Sequence, residues 1–444
     1  MIRIFFDGIM YIQMQIDDFL GKMVEVVLDL DMEGIVAYRE FFGRPPRFFR
    51  RVKRLKTRRV DRAQWRLDNF TGRYIRGLAY LLLRKRKPQG FEGQDVRDPR
   101  GKGYLKDIFD LNDFSYFNQL QRLHGLHTQT GCFTINDAFK AEIARIKEAV
   151  PTHGRWLEML EDFGLRKDIG VEDKRVPSQR QYLRLLAMAG TGLDCFFLQK
   201  RAECYAYGLM GSPLKIWDRR FFKVYFTSDP QAGPYMKPRY RGDGYTNSSI
   251  LDSWWGLPDY FTPYNARMSD QVVFPHTFKA FMRSTRRDFT AILSDGGPDS
   301  HGNNGLVLDY EKIPIIHARE NAVGEVVKTL KGHRFRGEYV PRELWPYLDR
   351  FHNARTAIER RFGLDGDYAM TVMPHQGINW AYFFIGTGEI LHLINALTAY
   401  KIGELGLIRS SSAFRRVYSY GSSGNTQWTA KQAFPDVSRR NIIY

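Results

Sequence analysis

The order of strand-like and helix-like segments after Pro213 constrains the fold of this chain more than any other feature. Three strand-like segments come first. PLKIWDRRFFKVYF is rich in aromatic and β-branched residues, and SSILDSW and LPDYFTP are separated by a turn near Gly256, so they predict a hairpin. The resulting order β-β-β-α-β-α-β-α, antiparallel at first and parallel later, predicts a mixed α/β domain. Short apolar strands of this kind fit a central sheet that is covered on both faces.

The remaining segments complete this pattern. The predicted elements are a helix over 270–284 despite Pro275, a short buried strand over 289–295, a short helix over 302–312 and a buried strand over 313–319. Residues 344–363 carry apolar side chains at helical spacing and predict one further helix. The predicted organisation is a mainly helical 1–100 ending in a Gly- and Pro-rich linker, a helical 101–212, the mixed α/β domain 213–410 and a tail 411–444.

The chain carries a formal net charge of +18, and the positive charge is locally concentrated. Residues 44–62 contain ten basic residues and one acidic residue, with Phe48 and Phe49 among them. This pattern favours an arm or helix that follows the phosphates of a nucleic acid. A solvated basic surface and an anionic lipid partner are the alternatives. The candidate phosphate contacts in this block are Arg50, Arg51, Arg54 and Arg58.

Neither a membrane span nor a disulfide framework is expected. The most apolar long segment, 378–397, contains a glutamate and a histidine, which favours a buried helix. Three cysteines without CxxC spacing argue against a zinc finger and fit a reducing compartment. Asp7, Asp17 and Asp18 interrupt the apolar N-terminal stretch, which argues against a secretory signal. The expected location is therefore the cytoplasm.

Three carboxylates occupy positions that often contribute to active sites. Asp218 interrupts the first strand of the α/β domain, and Asp295 ends the fourth. Strand ends of open α/β sheets commonly border a ligand crevice. Glu359 lies in the predicted helix, where it shares one face with His352 and Arg355 because the three are spaced i, i+3 and i+7. The pattern predicts that the three acids border one crevice.

Carboxylates that lie close together repel one another unless a cation neutralises them. Oxygen ligands favour Mg²⁺ or Mn²⁺, and two such ions about 4 Å apart support phosphodiester chemistry. Each acid also has a structural interpretation, as a turn former, a helix cap or the partner of a neighbouring arginine. Asp299 is assigned to that structural class. The order and context of Asp218, Asp295 and Glu359 favour metal binding.

The region from about Leu214 to Leu405 resembles the DDE transposases of bacterial and archaeal insertion sequences, in particular the group with a DDE domain similar to insertion sequence 4. The segments that carry the resemblance occur in the family's order: IWDRRFFKVYF, ILSDGGPDS, IPIIHAREN, RTAIERRFG and LINALTAYKIGELG. The family has an RNase H-like fold with an Asp on the first strand, an Asp after the fourth and a Glu on a later helix. The resemblance implies that Asp218, Asp295 and Glu359 are catalytic metal ligands.

The family signature around the glutamate, Y-(2)-R-(3)-E-(6)-K, is matched at Arg355 and Glu359. His352 stands at the tyrosine position and Gly366 at the lysine position. The resemblance implies that Arg355 neutralises phosphate charge. His352 either contacts DNA in place of the tyrosine or packs as a structural histidine. The short gap between Asp295 and Glu359 leaves no room for the large inserted β-domain that some members carry.

The resemblance further implies a cytoplasmic, nucleoid-associated DNA transposase that uses two Mg²⁺ or Mn²⁺ ions. It would hydrolyse the element ends to free a 3′-OH and join that end to target DNA. Residues 1–100 and 101–212 would bind the double-stranded terminal repeats, and the protein would act as a homodimer on DNA. The alternatives are another RNase H-like nuclease or resolvase, a catalytically silent DNA-binding protein derived from a transposase, and a basic scaffold whose acids are structural.

Overall fold

The computed structural model describes residues 4–6, 9–11, 82, 104–126, 130–224, 229–234, 242–285, 289–368 and 370–409. Residues 4–6 and 9–11 pair as two antiparallel strands, β1 (Ile4–Phe6) and β2 (Ile9–Tyr11). The basic block 44–62, with Arg50, Arg51, Arg54 and Arg58, lies outside the described residues, and so does the predicted tail. The roles predicted for them therefore stay predictions.

A group of helices precedes the sheet. These helices are α1 (Tyr104–Leu111), α2 (Tyr116–Leu123), α3 (Ile135–Lys147), α4 (His153–Met159), α5 (Phe163–Asp168), α6 (Gln179–Gly190) and α7 (Leu193–Ala206). Thr134 and Asp137 form a reciprocal capping box that starts α3, and Ser178 and Gln181 do the same for α6. Buried aromatic side chains from α2, α3 and α7 pack against one another in the core of this group.

One mixed sheet forms the centre of the α/β domain. Its strands are β3 (Leu214–Val224), β4 (Gly233–Pro234), β5 (Asp243–Asp252), β6 (Leu257–Asn265), β7 (Ala291–Ser294), β8 (Ile313–Ile316) and β11 (Val372–Met373). The five main strands lie in the order β6-β5-β3-β7-β8. β3, β5 and β6 are antiparallel neighbours, whereas β3, β7 and β8 are parallel. The predicted mixed α/β architecture is confirmed, and this arrangement is consistent with an RNase H-like fold.

Helices cover the two faces of this sheet. The first face carries Trp217 and Ile292, which pack against α8 (Asp270–Ser284) and α9 (His301–Asp309). The opposite face carries Ile216 and Leu293. There the covering elements are α10 (Leu348–Ala354) and α11 (Thr356–Asp367). Consecutive residues of one strand face opposite layers because side chains alternate along a strand.

The prediction of a single helix over 344–363 is wrong, because the chain bends at Arg355. A 3₁₀ segment, Arg342–Tyr347, leads into α10, and α11 begins after Arg355. The N–H of Arg355 donates to the carbonyl of His352, and the N–H of Ile358 donates to the carbonyl of Arg355, both at 2.9 Å. These three-residue hydrogen bonds are tighter than those of an α-helix, so they separate α10 from α11.

The apolar segment after residue 377 forms the longest helix described, α12 (Ile378–Lys401), which is followed by a 3₁₀ segment, Leu405–Arg409. Most of α12 is buried, and it packs both on the helical group and on β6. The prediction of a buried helix is confirmed. Among the described residues, no helix is long and apolar enough to cross a membrane.

A small antiparallel hairpin, β9 (Val326–Lys328) and β10 (Arg334–Arg336), lies between β8 and α10. A 3₁₀ turn, Gly337–Tyr339, follows it. An isolated bridge between His317 and Phe335 joins the hairpin to the end of β8. The hairpin is therefore held beside the carboxyl ends of the parallel strands.

Candidate active site

The parallel pairing of β3 with β7 brings Asp218 and Asp295 together. In this register Ile216 pairs with Leu293, and the two aspartates each follow two residues later. Since side chains alternate between the faces of a sheet, both carboxylates belong to the face that carries Ile216 and Leu293. α10 and α11 cover that face, so the two acids point toward the bend between these helices.

Arg355, at this bend, lies between the two carboxylates. Its Nη2 atom is 3.6 Å from Oδ2 of Asp218 and 3.9 Å from Oδ2 of Asp295. The two oxygens are therefore separated by no more than the sum of these distances, within the limit of about 8 Å expected for ligands of one metal site. The three side chains are 10–24 % exposed, so water screens their charges only in part.

The loop that follows β7 is shaped to hold Asp295. Oδ1 of Asp295 accepts a hydrogen bond from the N–H of Gly297 at 2.9 Å. A β-carbon at residue 297 would lie 3.0 Å from that oxygen and would collide with the carboxylate of Asp270, so any other residue there would force the Asp270 side chain to move. Arg319, beyond β8, donates from Nε to the carbonyl of Gly296 at 3.1 Å and contacts the carbonyl of Gly297. Both contacts fix the loop from its outer side.

Asp299 has a structural role, as predicted, but this role is ion pairing rather than the predicted turn or cap formation. Its side chain is buried and accepts from Nε of Arg336 at 2.7 Å and from the N–H of Arg319 at 3.0 Å. The helix cap belongs to Ser300, whose Oγ accepts from the N–H of Asn303 at the start of α9. Asp299 is therefore a buried ion-pair partner rather than a turn former.

Glu359 lies on α11, four residues after Arg355, and is exposed. It is thus on the helix that covers the face carrying Asp218. The predicted convergence of Glu359 with the two aspartates on one metal site stays a prediction. Burial, followed by the neighbouring His333 and Arg355, lowers the pKa of His352, and the negative charge of Glu359 opposes that shift. The structure brings Asp218 and Asp295 together on Arg355 and places Glu359 one turn further along the helix.

The donor set can be tested for its fit to a divalent cation. Carboxylate oxygens are the ligands that Mg²⁺ and Mn²⁺ prefer, and the guanidinium of Arg355 occupies the place of a cation between two of them. Nε of Arg355 is buried and has no hydrogen-bond partner among the described residues. Asp218 and Asp295 therefore fit such an ion. In the described part of the chain, however, no three His, Cys, Asp or Glu side chains are grouped closely enough to hold a metal.

His352 packs into a stack of three histidines. Its Nδ1 lies 2.9 Å from Nε2 of His317, and the ring centroids of His352 and His333 are 3.6 Å apart. Burial, with His352 next in effect, lowers the pKa of His317 to about 3. The stack joins the end of β8, the β9–β10 hairpin and α10, immediately before Arg355. The DNA contact predicted for His352 stays a prediction.

Sequence reasoning missed the residues that support the acids. Gly297, His317 and Arg319 lie in the segments ILSDGGPDS and IPIIHAREN, but those segments alone predict no contact between these residues and the acids, and His333 lies outside every such segment. One signal was available for His317, which directly follows the buried strand IPII. Because adjacent parallel strands end at the same edge of a sheet, that position lies near Asp295.

Comparison with known proteins gives little further information. No family model matches the sequence, and no curated protein matches it. Among solved structures, the cryo-EM structure of a piggyBac transposase synaptic complex with hairpin DNA is similar, with a TM-score of 0.40 and 12 % identity. The similarity covers 81 % of this chain and 89 % of that chain. A likeness of this size does not assign the chain to a family.

Proposed function

We propose that this chain is a DDE-type DNA transposase that cuts element ends and joins the freed 3′-OH to target DNA. One observation carries the proposal: Asp218 and Asp295 converge on Arg355, one helical turn before Glu359. Acids in this order, on the first strand, after the fourth strand and on a later helix, are what the resemblance to DDE transposases implies. The order of the strands in the sheet also supports this proposal.

Each residue has a role in this proposal. Asp218, Asp295 and Glu359 would hold Mg²⁺ or Mn²⁺, which would supply activation of the attacking oxygen and stabilisation of the leaving oxygen. Arg355 would neutralise phosphate charge, and its Nε–H has no hydrogen-bond acceptor among the described residues. The arginines of the block 44–62 would bind the backbone of the terminal repeats. A homodimer on DNA would pair the two element ends.

A catalytically silent DNA-binding protein is the second candidate. The observation that favours it is that Glu359 is exposed and that the described residues contain no group of three metal-ligating side chains. In such a protein Arg355 would be a permanent partner of Asp218 and Asp295, and divalent ions would not stabilise the fold.

The test uses duplexes that carry the inverted repeats read from the DNA flanking the gene, together with a supercoiled target plasmid. Wild-type protein in Mg²⁺ or Mn²⁺ is expected to nick the repeat end and to join its 3′-OH to the plasmid. Asp295→Asn is expected to bind the same duplex in EDTA but neither to nick it nor to join its end to the plasmid. Nicking without joining would indicate a nuclease or resolvase. Binding without either reaction, in wild type, would establish the silent protein.

A further inference from the structure

The β9–β10 hairpin presents an apolar side chain at its tip, flanked by two exposed lysines. Leu330 is fully exposed, at 104 % of its reference area. Lys328 and Lys331, on either side of it, are exposed as well. A fully exposed leucine between two lysines gains nothing from the fold of its own chain, because it buries no apolar surface there. This combination suits contact with a polyanion that also offers apolar surface.

The turn is built to hold these side chains outward. The N–H of Thr329 donates to the carbonyl of His333 at 2.8 Å, and the N–H of Gly332 donates to the carbonyl of Thr329 at 3.0 Å. Gly332 has a φ of +85°, which glycine adopts without strain. These bonds close a tight turn in which Leu330 and Lys331 take the two outermost positions.

Asp349, in the first turn of α10, clamps this turn onto the helix. Its Oδ1 accepts from Oγ1 of Thr329 at 2.5 Å and lies 2.8 Å from Nδ1 of His333. Its Oδ2 accepts from the N–H of Lys331 at 3.3 Å. A tip that is ordered before binding loses less conformational entropy when a ligand arrives.

The clamped tip adjoins the candidate active site. The ring of His333 stacks on that of His352, and His352 lies one turn before Arg355 on the same helical segment. A duplex whose phosphate reaches Arg355 would therefore pass beside the hairpin. This position favours nucleic acid over a lipid surface as the partner of the tip.

We propose that the hairpin 326–336 is a DNA contact in which Lys328 and Lys331 bind phosphates and Leu330 enters the minor groove beside the phosphate held in the crevice. Apolar side chains placed in this way unstack a base step and bend the duplex. The inference rests on the proposed function for the position of the DNA. It adds a binding element that makes no contribution to metal binding.

The experiment measures binding of a short fluorescent duplex in EDTA, by anisotropy, over a range of salt concentrations. Leu330→Ser is expected to weaken binding by roughly five- to tenfold without changing the salt dependence. The double variant Lys328→Gln/Lys331→Gln is expected to reduce the slope of log affinity against log salt by about 2, at about 0.9 per contact. Leu330→Trp is expected to bind several-fold more tightly through base stacking.

Val323→Ser is the matched control, because Val323 is 79 % exposed on the same connection but lies before β9, away from the tip. It is expected to bind like wild type. If wild type binds the duplex and the Leu330 and lysine variants bind equally well, the hairpin proposal is overturned and the proposed function stands. If wild type binds no duplex, both are overturned. Loss of binding to phosphatidylserine vesicles in Leu330→Ser, with DNA binding unchanged, would overturn the DNA contact in favour of a membrane contact.

Discussion

At the residue scale, two aspartates in the loop after β7 have opposite environments. Asp295 is partly exposed and only loosely paired, at 3.9 Å from Arg355, whereas Asp299 is buried and ion-paired to Arg336 at 2.7 Å. We expect Asp295→Asn to change the free energy of unfolding in EDTA by less than about 1 kcal/mol while cleavage in Mg²⁺ falls by orders of magnitude. Asp299→Asn, its control, should cost about 3 kcal/mol because buried Arg336 loses its closest carboxylate and keeps only Glu338, at 3.5 Å. Urea unfolding and plasmid nicking measure the two effects. An active, folded Asp295→Asn protein would contradict the acidic site.

Arg355 is expected to act as an internal cation when no metal is bound. Its replacement by glutamine removes the charge that neutralises Asp218 and Asp295, so the two carboxylates repel each other. We expect Arg355→Gln to lower the free energy of unfolding in EDTA by about 1 kcal/mol. We also expect Mn²⁺ to raise the Tm of this variant by more than it raises the Tm of wild type. Arg360→Gln, exposed on the same helix, is the control. Equal Mn²⁺ effects in wild type and Arg355→Gln would show that the acids do not share a cation.

The sequence predicted that Asp218 lies within the first strand and Asp295 at the end of the fourth, because apolar patterns mark both strands, and the observed register then sets the two acids side by side. It did not predict that Arg355 contacts both of them. That contact depends on the bend between α10 and α11, which arises from hydrogen bonds between neighbouring backbone groups rather than from side-chain periodicity. A contact of this kind cannot be predicted from the spacing of apolar or charged residues in the sequence.

At the element scale, a buried ionic network fixes α11 to its neighbours. Nη2 of Arg361 lies 2.7 Å from Oε2 of Glu389 on α12, and Arg220 on β3 lies 3.0 Å from Asp365 at the far end of α11. Burial raises the pKa of Glu389, although Arg361 opposes that shift. Because Glu359 is two residues from Arg361, the network sets where the third acid lies relative to the sheet.

We expect Arg361→Met to lower the free energy of unfolding by about 3–5 kcal/mol, since Glu389 would be left buried without its cation. The double variant Arg361→Met/Glu389→Met removes both charges and should recover part of that loss, since Asp365, which Arg361 also contacts, keeps Arg220 as its cation. Urea unfolding of wild type, the two single variants and the double variant gives the coupling energy. A double variant that is as unstable as the sum of the single variants would mean that the two side chains do not act as a pair.

The element pattern was predicted well where apolar periodicity was long, and poorly where elements were short. α8 forms over 270–284 despite Pro275, as predicted, and the main strands occur along the chain in the predicted order, antiparallel at first and parallel later. The β9–β10 hairpin was not predicted, because each of its strands spans three residues. Two alternations of side chains are too few to distinguish a strand from a loop.

At the scale of the whole molecule, α12 joins the helical group to the sheet. Phe383 on α12 packs edge-on against Phe139 of α3, and Phe261 of β6 contacts Tyr382 of α12. The two groups of elements therefore share one hydrophobic core. The change in composition near Pro213 indicates a change of secondary structure. It does not predict that a helix after Pro213 packs on the helices before it.

Buried histidines determine how the stability of the whole molecule depends on pH. Burial lowers the pKa of His392 and of His317 to about 3, and that of His375 to about 4. In the unfolded chain a histidine has a pKa of about 6.5. Below that value the unfolded chain binds protons that the folded chain does not. The stabilising contribution is therefore complete above about pH 6.5 and is lost as pH falls toward the folded pKa values.

We therefore expect the free energy of unfolding to fall steadily from pH 6.5 to pH 5, a window in which ordinary carboxylates stay ionised. His392→Gln should flatten this dependence, because it removes one buried group that takes up a proton on unfolding while an amide can still hydrogen-bond Asp365, which lies 2.9 Å from the imidazole. His276→Gln, on an exposed position of α8, should leave the slope unchanged. Urea unfolding at half-unit pH steps gives the three slopes. If His392→Gln kept the wild-type slope, the pH dependence would have to arise from groups other than this buried imidazole.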